Sequence, residues 1–480
     1  MKSITFLNSN KTAMLAAAFV LSLGFSSCKK DFLEVTPTQS IQNGDAFTSA
    51  EKLEAAMTGI YDINTNSAYT NNVIMNADVK GEDVLVASTN NYNRFITGYQ
   101  FSEIVTSGEL RDHWQFSYRL IANANQLIAN TPNAPVAEAV KNQYIAEARA
   151  MRASAYFTLI REFAKPYSLD PEALGVPIID KPIGPSESPA RAKVKDVYAF
   201  ILEDLKFAEA NFPATKKDVM RITLNAIQGL QARVYLTMGN WAEASKYAKL
   251  ARTGYALSTG NALLAGFADK TSEWIWAVDM RSDDNQGYLQ VPSFYDPYDI
   301  GYSSFRASNE FVNLFADTDI RKNQFRIPAV SGGDPKLGQY RPTNDGYFMS
   351  KFIFRGAWDN DMVLMRSSEM YLIEAEAEAR LGNEPAAKTA LLAIQQRAGV
   401  TSSESANTGE ALIQEILVER RKELFGEGHR FYDILRTKQT LDRSASTSHW
   451  SKVVIPAGDK RLTYPIPQAE IDANPNIIQN

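Results

Sequence analysis

The chain contains very little cysteine and histidine. Of its 480 residues, one is cysteine and three are histidine. A single cysteine, Cys28, cannot form an intrachain disulfide, and a chain of this length can bury enough apolar surface to fold without one. His113, His429 and His449 lie far apart in the sequence, with no second ligand type at metal spacing, so a zinc site is not expected.

Sequence signatures of common catalytic and cofactor sites are missing as well. The chain has no Gly-x-Ser-x-Gly nucleophile elbow, and the Gly-rich stretch 333–338 is not followed by the Lys and Ser or Thr of a phosphate-binding loop. Two acidic pairs, Asp317 with Asp319 and Asp283 with Asp284, offer oxygen ligands, but neither spans an EF-hand loop. The net charge is −5, without the basic footprint of a nucleic-acid-binding protein. We therefore expect no cofactor, no metal ion and no nucleic acid partner.

The longest apolar run is too short to cross a membrane. It extends from Ala13 to Leu23, behind two lysines and ahead of two serines. A membrane-spanning helix needs about 20 apolar residues, so this pattern predicts an export signal at residues 1–27. Cys28 follows directly and is the expected lipidation site, which would attach the protein to a membrane by its lipid anchor alone.

The rest of the chain predicts an extended tether, 28–45, and a single domain, 46–480. A capping box at 48–51 marks the start of the first helix. The stretches 223–254 and 364–399 each consist of a helix, a Gly-Asn turn, a second helix and a final glycine. This pattern is typical of tetratricopeptide units and predicts an all-α, mainly helical fold in which neighbouring helix hairpins stack.

Two stretches interrupt the helical pattern and are rich in aromatic residues. Residues 255–363, and much of 64–107, contain many Gly, Pro, Asn and aromatic residues, with short strand-like pieces such as 273–279. They predict long irregular loops with a few short β-hairpins, and 255–363 is expected to be an insertion in the helical repeats. Loops of this length in a compact protein are usually functional when they are ordered.

Acidic pairs leave open the possibility of a glycosidase, which needs only two carboxylates. Glu374 and Glu378 share one face of a predicted helix, and we interpret them as solvated or paired with Arg380 or Arg397. The charges alternate in sign from 419 to 427, which favours a salt-bridged helix over an acid–base pair. We therefore predict that the protein is not an enzyme.

Ordered motifs extend through nearly the whole mature chain. They include Cys28-Lys-Lys-Asp-Phe-Leu-Glu34, Trp114-x3-Tyr118-x2-Ile121-x3-Asn125, Glu147-Ala-Arg-Ala-Met-Arg-Ala153, Arg366-x2-Glu369-x-Tyr371-Leu372, Glu419-Arg-Arg-Lys-Glu-Leu-Phe-Gly-Glu-Gly-His-Arg-Phe-Tyr-Asp-Ile-Leu-Arg436 and Tyr464-Pro-Ile-Pro467. In this order they resemble the SusD/RagB-type nutrient-binding lipoproteins of Bacteroidetes-like bacteria.

The resemblance implies a fold, a partner and a location. The fold is α-helical with four tetratricopeptide-like hairpins, and the partner is a SusC-like TonB-dependent transporter. The protein is then a lipid-anchored outer-membrane protein that faces the cell exterior and captures oligosaccharides or, in RagB-like members, peptides. The shared motifs look architectural, because Arg420, Glu423, Glu427, Arg430 and Asp433 alternate as internal ion pairs at a helix junction would.

Ligand-binding residues are expected in the aromatic loops. A sugar presents apolar C–H faces and hydroxyl groups, so its site needs exposed aromatic rings beside Asn, Asp, Gln or Arg. Trp114, Trp241 and Trp276 fit apolar helix or strand faces and are assigned to the core. The candidate ligand-binding residues are Asn91, Tyr92, Asn93, Arg94, Asp284, Tyr288, Tyr295, Tyr298 and Trp358.

Four functions remain open at this point. Capture of an oligosaccharide for a transporter is the leading hypothesis, and a peptide receptor is its alternative within the binding proteins. A surface glycosidase and a scaffold that binds only protein are less favoured. The residues themselves do not distinguish a glycan from a peptide ligand.

Overall fold

Most of the described chain is helical. The computed structural model describes residues 47–89, 91–184, 186–215, 218–296, 301–325 and 346–480. Within these ranges the α-helices are α1 (Ala50–Thr65), α2 (Asn72–Val79), α3 (Ile96–Gln100), α4 (Gly108–Asn130), α5 (Glu138–Phe163), α6 (Val194–Asn211), α7 (Leu224–Met238), α8 (Trp241–Ala251), α9 (Val291–Tyr295), α10 (Asn309–Val312), α11 (Ser367–Arg380), α12 (Glu384–Arg397), α13 (Gly409–Glu423), α14 (Arg430–Arg436) and α15 (Gln468–Ala473). The strands are β1 (Val84–Val86), β2 (Trp274–Val278), β3 (Phe305–Ala307), β4 (Met362–Arg366), β5 (Leu441–Asp442) and β6 (Val454–Ile455). The predicted mainly helical fold is confirmed, whereas the export signal (1–27), Cys28 and the tether (28–45) lie outside the described residues.

The first helix begins where its capping box predicts, with a different cap. Ser49, and not Thr48, caps α1, because its hydroxyl accepts a hydrogen bond from the backbone N–H of Lys52 at 3.3 Å. Leu53 and Met57 lie on the buried face of this helix. The apolar spacing therefore placed this face correctly.

The two predicted helix hairpins are present. Helix α7 ends at Gly239, whose φ of 75° lies in the left-handed region, and the side chain of Asn240 then accepts from the backbone N–H of Glu243 at 3.4 Å to start α8. Helices α11 and α12 repeat this plan, with Gly382 at φ 78° and Pro385 in the first turn of α12. Both turns are fixed by local sequence, since glycine adopts positive φ at little cost.

Neighbouring helices pack side by side to form the scaffold. Helix α1 packs on α4, α4 on α5, α5 on α6, α6 on α7 and α7 on α8, and the contacts continue from α8 to α11 and from α11 to α12 and α13. Trp114 and Trp276 are buried in the main core and Trp241 packs against its edge, as predicted. Phe47–Asn480 form one compact unit. The main core includes the fully buried side chains of Ile60, Ile121, Leu159, Leu205 and Ile227.

The strands form three two-stranded antiparallel ladders in the described part of the chain. Strand β1 pairs with β3, with Val84 opposite Ala307, and β2 pairs with β4, with Trp274 opposite Arg366. These partners are far apart in the sequence, so they are not the local hairpins that turn residues suggested. Strands β5 and β6 also pair. The first two ladders therefore join segments that are far apart in the chain, whereas β5 and β6 are close in sequence.

Residues 64–107 contain more helix than the sequence predicted. A π-helical turn, Ser67–Asn71, leads into α2, and α3 follows β1. Most side chains of α2 are buried all round, including the polar Asn76 and Asp78. A helix without a solvent face shows no amphipathic period, which is why the pattern was missed. In the second hairpin, residues 364–366 belong to strand β4 and not to the helix predicted there.

A second apolar cluster lies beneath the loop-rich segment. It is composed largely of aromatic rings, and several of them pack edge to face, a favourable geometry for aromatic pairs. The described loops of 255–363 pack on this cluster. Its buried aromatic side chains include Phe95, Phe294, Tyr295, Phe305, Phe311, Phe325, Phe352 and Phe425.

One buried ion-pair network, here called the charge cluster, joins α13 to the strands and to α12. Among the described residues it contains five basic and five acidic side chains, so opposite charges balance where water is excluded. Although burial raises it, the neighbouring arginines hold the pKa of Glu423 well below its usual value. The members are Arg321, Lys351, Arg366, Arg397, Lys422, Glu273, Asp319, Glu419, Glu423 and Glu427.

The ion pairs predicted for the 419–436 motif are present in the interior of the protein. In most of them the partner lies outside the motif. Arg420 bonds Asp433 at 2.8 Å, and the Nε of Arg430 bonds Glu82 at 3.0 Å. Glu423 and Glu427 belong to the charge cluster. The motif is therefore a structural junction.

The predicted partners of one acidic pair were wrong. Glu374 is bonded by Arg252, the C-terminal cap of α8, at 2.8 Å and Glu378 by Lys249 of α8 at 2.5 Å, and neither by the expected Arg380 or Arg397. Helix α11 turns these carboxylates towards α8, because the two helices pack against each other. The pair thus holds two layers of the scaffold together.

Candidate ligand-binding site

The β1–β3 ladder positions the first aromatic loop. Val86 lies opposite Phe305, and the backbone N–H of Ala87 donates to the carbonyl of Ser304 at 2.7 Å. The chain that follows β1 and the chain that precedes β3 therefore lie at the same end of the ladder. This brings residues 91–94 beside Tyr302, although the two segments are far apart in the sequence.

Tyr92, Arg94 and Tyr302 form a surface here called the tyrosine patch. The Tyr92 side chain is 63% exposed, and its ring stands edge-on to that of Tyr302, with centroids 5.1 Å apart. The guanidinium of Arg94 lies 4.9 Å from the centre of the Tyr302 ring. Tyr302 is itself stacked on buried Phe294 at 4.7 Å. The patch therefore combines an exposed aromatic ring and a cation on a rigid support.

Asn91 fixes the backbone of this loop. Its side chain donates to the carbonyl of Ala87 and accepts from the N–H of Asn93, each at 2.9 Å. Tyr92 and Asn93 adopt φ values of 55° and 56°, a left-handed conformation that costs free energy for residues other than glycine. The hydrogen bonds of Asn91 oppose that cost and hold Tyr92 in its exposed position. Asn91, Tyr92, Asn93 and Arg94, all predicted as site residues, thus occur together.

Tyr288 and Trp358 form a second exposed surface, here called the tryptophan patch. Their side chains are 48% and 36% exposed, and their rings meet edge to face with centroids 5.4 Å apart. Tyr288 also packs on the buried ring of Phe354 at 5.9 Å. Trp358 has a φ of 60°, and its carbonyl accepts a hydrogen bond from the side chain of Gln290. Two predicted residues from separate segments therefore meet here.

The short helix α9 connects the two patches. Gln290 precedes it and bonds Trp358 of the tryptophan patch, while Phe294 near its end carries Tyr302 of the tyrosine patch. One turn of helix rises about 5.4 Å, so the two supports are close neighbours.

Tyr295 was wrongly predicted as a ligand contact. Its side chain is 0% exposed, and its hydroxyl donates to the carboxylate of Asp78 at 2.8 Å. Burial raises the pKa of Asp78 to about 7. Because α9 turns Tyr295 inwards and Phe294 packs beneath Tyr302, the aromatic run around 288–305 is divided between core and surface.

Asp284 lies apart from both patches. It pairs with Arg281 at 3.4 Å and lines an open cleft of about 260 Å³ together with Asp62, Asp218 and Trp276. No residue of the tyrosine or tryptophan patch is among the described residues that line this cleft. Tyr298, the remaining candidate, lies outside the described residues, as does Asn90 beside the first loop.

Trp450 is an exposed aromatic residue that sequence analysis missed. It is 36% exposed, and its indole N–H donates to the carbonyl of Val86 at 2.8 Å, next to the tyrosine-patch loop. Its ring also packs against Tyr99 at 5.0 Å. No local pattern links residue 450 to residue 86, so only the folded chain brings this ring to the site.

The carboxylates considered as ligands for a metal have basic partners. Asp319 bonds Arg321 at 2.7 Å, and Asp317 bonds Lys322 at 2.7 Å. Asp283 lies 3.9 Å from Arg281. In the part of the chain that the structure describes, no group of three or more His, Cys, Asp or Glu side chains is arranged to hold a metal ion.

Comparison with known proteins agrees with this architecture. One family model, described as the SusD family, matches residues 322–480, and another, described as starch-binding associating with outer membrane, matches residues 31–236. The chain belongs to the SusD-like family. The two models match different parts of the chain: one ends before the loop-rich segment 255–363, and the other overlaps the end of that segment and includes Trp358.

Individual SusD-like relatives cover the chain to different extents. A SusD-like protein of Bacteroides ovatus is 29% identical over 234 residues, which are 48% of this chain and 40% of that protein. A SusD superfamily protein of Bacteroides thetaiotaomicron has 26% identity and a TM-score of 0.81, over 90% of this chain and 100% of that one. A SusD-like carbohydrate binding protein of Bacteroides vulgatus has 26% identity and a TM-score of 0.80, over 90% and 98%. The SusD-like fold therefore extends over the described body of the chain.

The description of one matching family model names starch binding and association with the outer membrane, and one similar structure is that of a SusD-like carbohydrate binding protein. Across the residues that the structure describes, no helix has both the length and the apolar character needed to span a membrane.

Proposed function

We propose that this SusD-like protein captures an oligosaccharide on the surface formed by the tyrosine and tryptophan patches. The observation that carries the proposal is the presence of a pair of aromatic rings at each end of α9, with one ring of each pair, Tyr302 or Tyr288, packed on a buried phenylalanine. Exposed rings held in fixed positions lose little conformational entropy when a ligand packs on them. They are therefore suited to repeated capture and release.

The chemistry of the patches suits a sugar chain. The rings of Tyr92 and Trp358 offer apolar surface to the C–H faces of pyranose units, and the side chains of Asn93 and Arg94 are exposed to donate hydrogen bonds to hydroxyl groups. The carbohydrate-binding relatives and the starch-binding family description support this choice of ligand.

We further propose that the protein works at the outer face of the outer membrane and delivers its ligand to a SusC-like TonB-dependent transporter. In this proposal residues 1–27 are removed, Cys28 is acylated, and residues 28–45 serve as the tether of the domain. Two acyl chains bury enough methylene groups for stable anchoring. The family description of association with the outer membrane supports the location.

The binding proposal is tested by calorimetric titration of the purified protein with panels of neutral oligosaccharides and oligopeptides. We expect saturable binding of at least one oligosaccharide without product formation. The variants Tyr92→Ala and Trp358→Ala should each weaken it about tenfold, about 1.4 kcal/mol, since truncation of a central aromatic contact commonly costs more than 1 kcal/mol. Leu250→Ala, which truncates an exposed apolar side chain on α8, is the matched control and should leave binding unchanged.

Each competing function predicts a different result. Saturation by peptides with indifference to every glycan would replace the ligand class with that of a peptide receptor. Release of shortened sugars, abolished by converting one acidic residue to its amide, would show a glycosidase. Binding of neither panel, with no effect of the two aromatic substitutions, would leave only a protein scaffold and would refute the proposal.

A further inference from the structure

A separate cavity lies inside the helical scaffold. It has a volume of about 110 Å³, is partly open to solvent and is lined by residues of α1, the Ser67–Asn71 turn with α2, α5, α7, strands β2 and β4 and residues 427–432. It shares no lining residue with the tyrosine or tryptophan patch. Its walls are partly apolar, but several nitrogen donors converge on it.

Arg161 brings a positive charge to this cavity without an acidic partner. Its Nε donates to the carbonyl of Phe157 at 3.0 Å, and its guanidinium lies between the rings of Phe157, at 4.1 Å, and Tyr432, at 3.9 Å. Glu162, its neighbour in the sequence, instead contacts His113 at 3.1 Å and Tyr432 at 3.3 Å. Among the described residues no carboxylate pairs with Arg161 and its hydrogen bond to the protein is made by Nε, so its two terminal nitrogens remain free to donate.

His429 presents a second donor to the cavity. Burial and the neighbouring arginines keep the pKa of this imidazole well below its usual value, so the ring is neutral near pH 7. Its Nδ1 accepts from the guanidinium of Arg420 at 3.4 Å, which places the ring proton on Nε2. The contacts of His429 within the described part of the chain are made by Nδ1 and leave Nε2 without a protein partner, and the ring lines the cavity.

Arg233 adds a third donor. Its Nε and one terminal nitrogen bond Glu369 at 2.7 and 2.6 Å, and the same terminal nitrogen donates to the carbonyl of Leu364 at 2.5 Å. The other terminal nitrogen has no partner among the described residues. The one carboxylate that lines the cavity, Glu427, is already bonded by Lys351 and by Arg366. The cavity therefore offers donors and positive charge, while its acidic oxygens are occupied.

We propose that this cavity binds an oxyanion, either a free inorganic anion or the acidic group of a sugar. A planar guanidinium with free terminal nitrogens matches the geometry of carboxylate, phosphate and sulfate oxygens. The anion accepts from Arg161, from the imidazole N–H of His429 and from the free nitrogen of Arg233. Its charge balances that of Arg161, which lacks an ion-pair partner. This inference does not depend on the proposed function, because the two sites share no residue.

The test is calorimetric titration of the purified protein with sulfate, phosphate and glucuronate, each against sodium chloride at the same ionic strength. We expect one saturable site and a raised melting temperature at saturation, since a ligand that binds the folded state stabilises it. Arg161→Met keeps the aliphatic stem without the charge and should weaken binding at least about tenfold. Arg149→Met is the control, because Arg149 lies on the same helix over the ring of Phe207, outside the cavity.

A second variant keeps the test decisive if Arg161→Met does not fold. Ser154→Leu fills the cavity from α5 without changing any charge and should abolish binding. Tighter binding of glucuronate than of both inorganic anions identifies an acidic sugar, and the reverse order identifies a free anion; both support the proposal. It is overturned if none of the three anions binds beyond chloride, or if Arg161→Met and Ser154→Leu both bind like the unmodified protein.

Discussion

Substitution of Glu423 by glutamine should destabilise the protein severely, because this carboxylate is shared by three arginines. One oxygen accepts from Arg366 at 2.5 Å and from Arg397, and the other accepts from Arg321 at 2.8 Å. The side chain is almost fully buried. Glutamine has nearly the same shape, so the change removes charge from the charge cluster without leaving a cavity.

The magnitude follows from the charge balance of the cluster. Five acids face five bases in the unmodified protein, so Glu423→Gln leaves one buried positive charge uncompensated and directs an amide N–H₂ towards guanidinium donors. Breaking a buried ion pair from one side costs about 3–5 kcal/mol. Because folded domains are stable by about 5–15 kcal/mol, this is a large share of the total.

Equilibrium unfolding in urea, followed by circular dichroism, measures this loss. Glu410→Gln is the control, since Glu410 is exposed in the first turn of the same helix and should change stability by less than about 0.5 kcal/mol. The double variant Glu423→Gln, Arg397→Gln restores equal numbers of opposite charges. It should be less destabilised than the sum of its single variants by at least about 1 kcal/mol.

Two results would refute the reasoning about charge balance. One is a loss of less than about 1 kcal/mol for Glu423→Gln, which would mean that water or local rearrangement compensates the charge. The other is a stability loss in the double variant equal to the sum of the losses in the single variants. This would mean that the stability lost on removing Arg397 is the same whether or not Glu423 is charged.

Three further predictions concern a backbone position, a buried acid and the anchor. Gly428→Ala should lower the free energy of unfolding in urea by about 1–3 kcal/mol more than Gly382→Ala. Both glycines have positive φ, but only at Gly428 would the new Cβ meet backbone, 3.0 Å from the Cα of Ile74. Equal losses of stability in the two variants would contradict this prediction. Burial raises the pKa of Asp78 from 3.8 to about 7. Between these pH values the folded state holds a proton that the unfolded state has released. The contribution of Asp78 to the free energy of unfolding therefore falls as pH rises, by up to about 1.4 kcal/mol per pH unit. Asp78→Asn should remove that slope from unfolding free energies measured between about pH 5 and 7, and an unchanged slope would count against the assignment. Cys28→Ser should release the protein from the membrane fraction of the producing cell and remove the acyl mass in mass spectrometry; a variant that stays attached would exclude Cys28 as the anchor.

The local sequence was sufficient to predict the two helix hairpins. Gly239 and Asn240 end one helix and start the next through their own backbone and side-chain preferences, and Gly382 does the same in the second hairpin. The alternating charges from 419 to 433 likewise predicted a salt-bridged junction. Their main partners, Arg321, Arg366 and Arg397, were not predictable, because they come from other segments.

The candidate site was predictable by segment but not by side chain. Composition identified the loops of Tyr92, Tyr288 and Trp358, since aromatic residues there follow no helical or alternating period. The same composition could not separate Tyr295, which faces Asp78 in the core, from its exposed neighbours. Trp450 belongs to a region with no such signal, and it reaches the site through a hydrogen bond to β1.

The sequence by itself determined the helical scaffold, its turns, the family and the segments from which a ligand surface is built, because each depends on residues close together in the chain. Only the tertiary structure decided which aromatic rings face solvent, which acids and bases pair in the charge cluster, and that Arg161, His429 and Arg233 meet in one cavity. Those outcomes depend on contacts between segments far apart in the sequence, and burial and charge compensation act through distance in space.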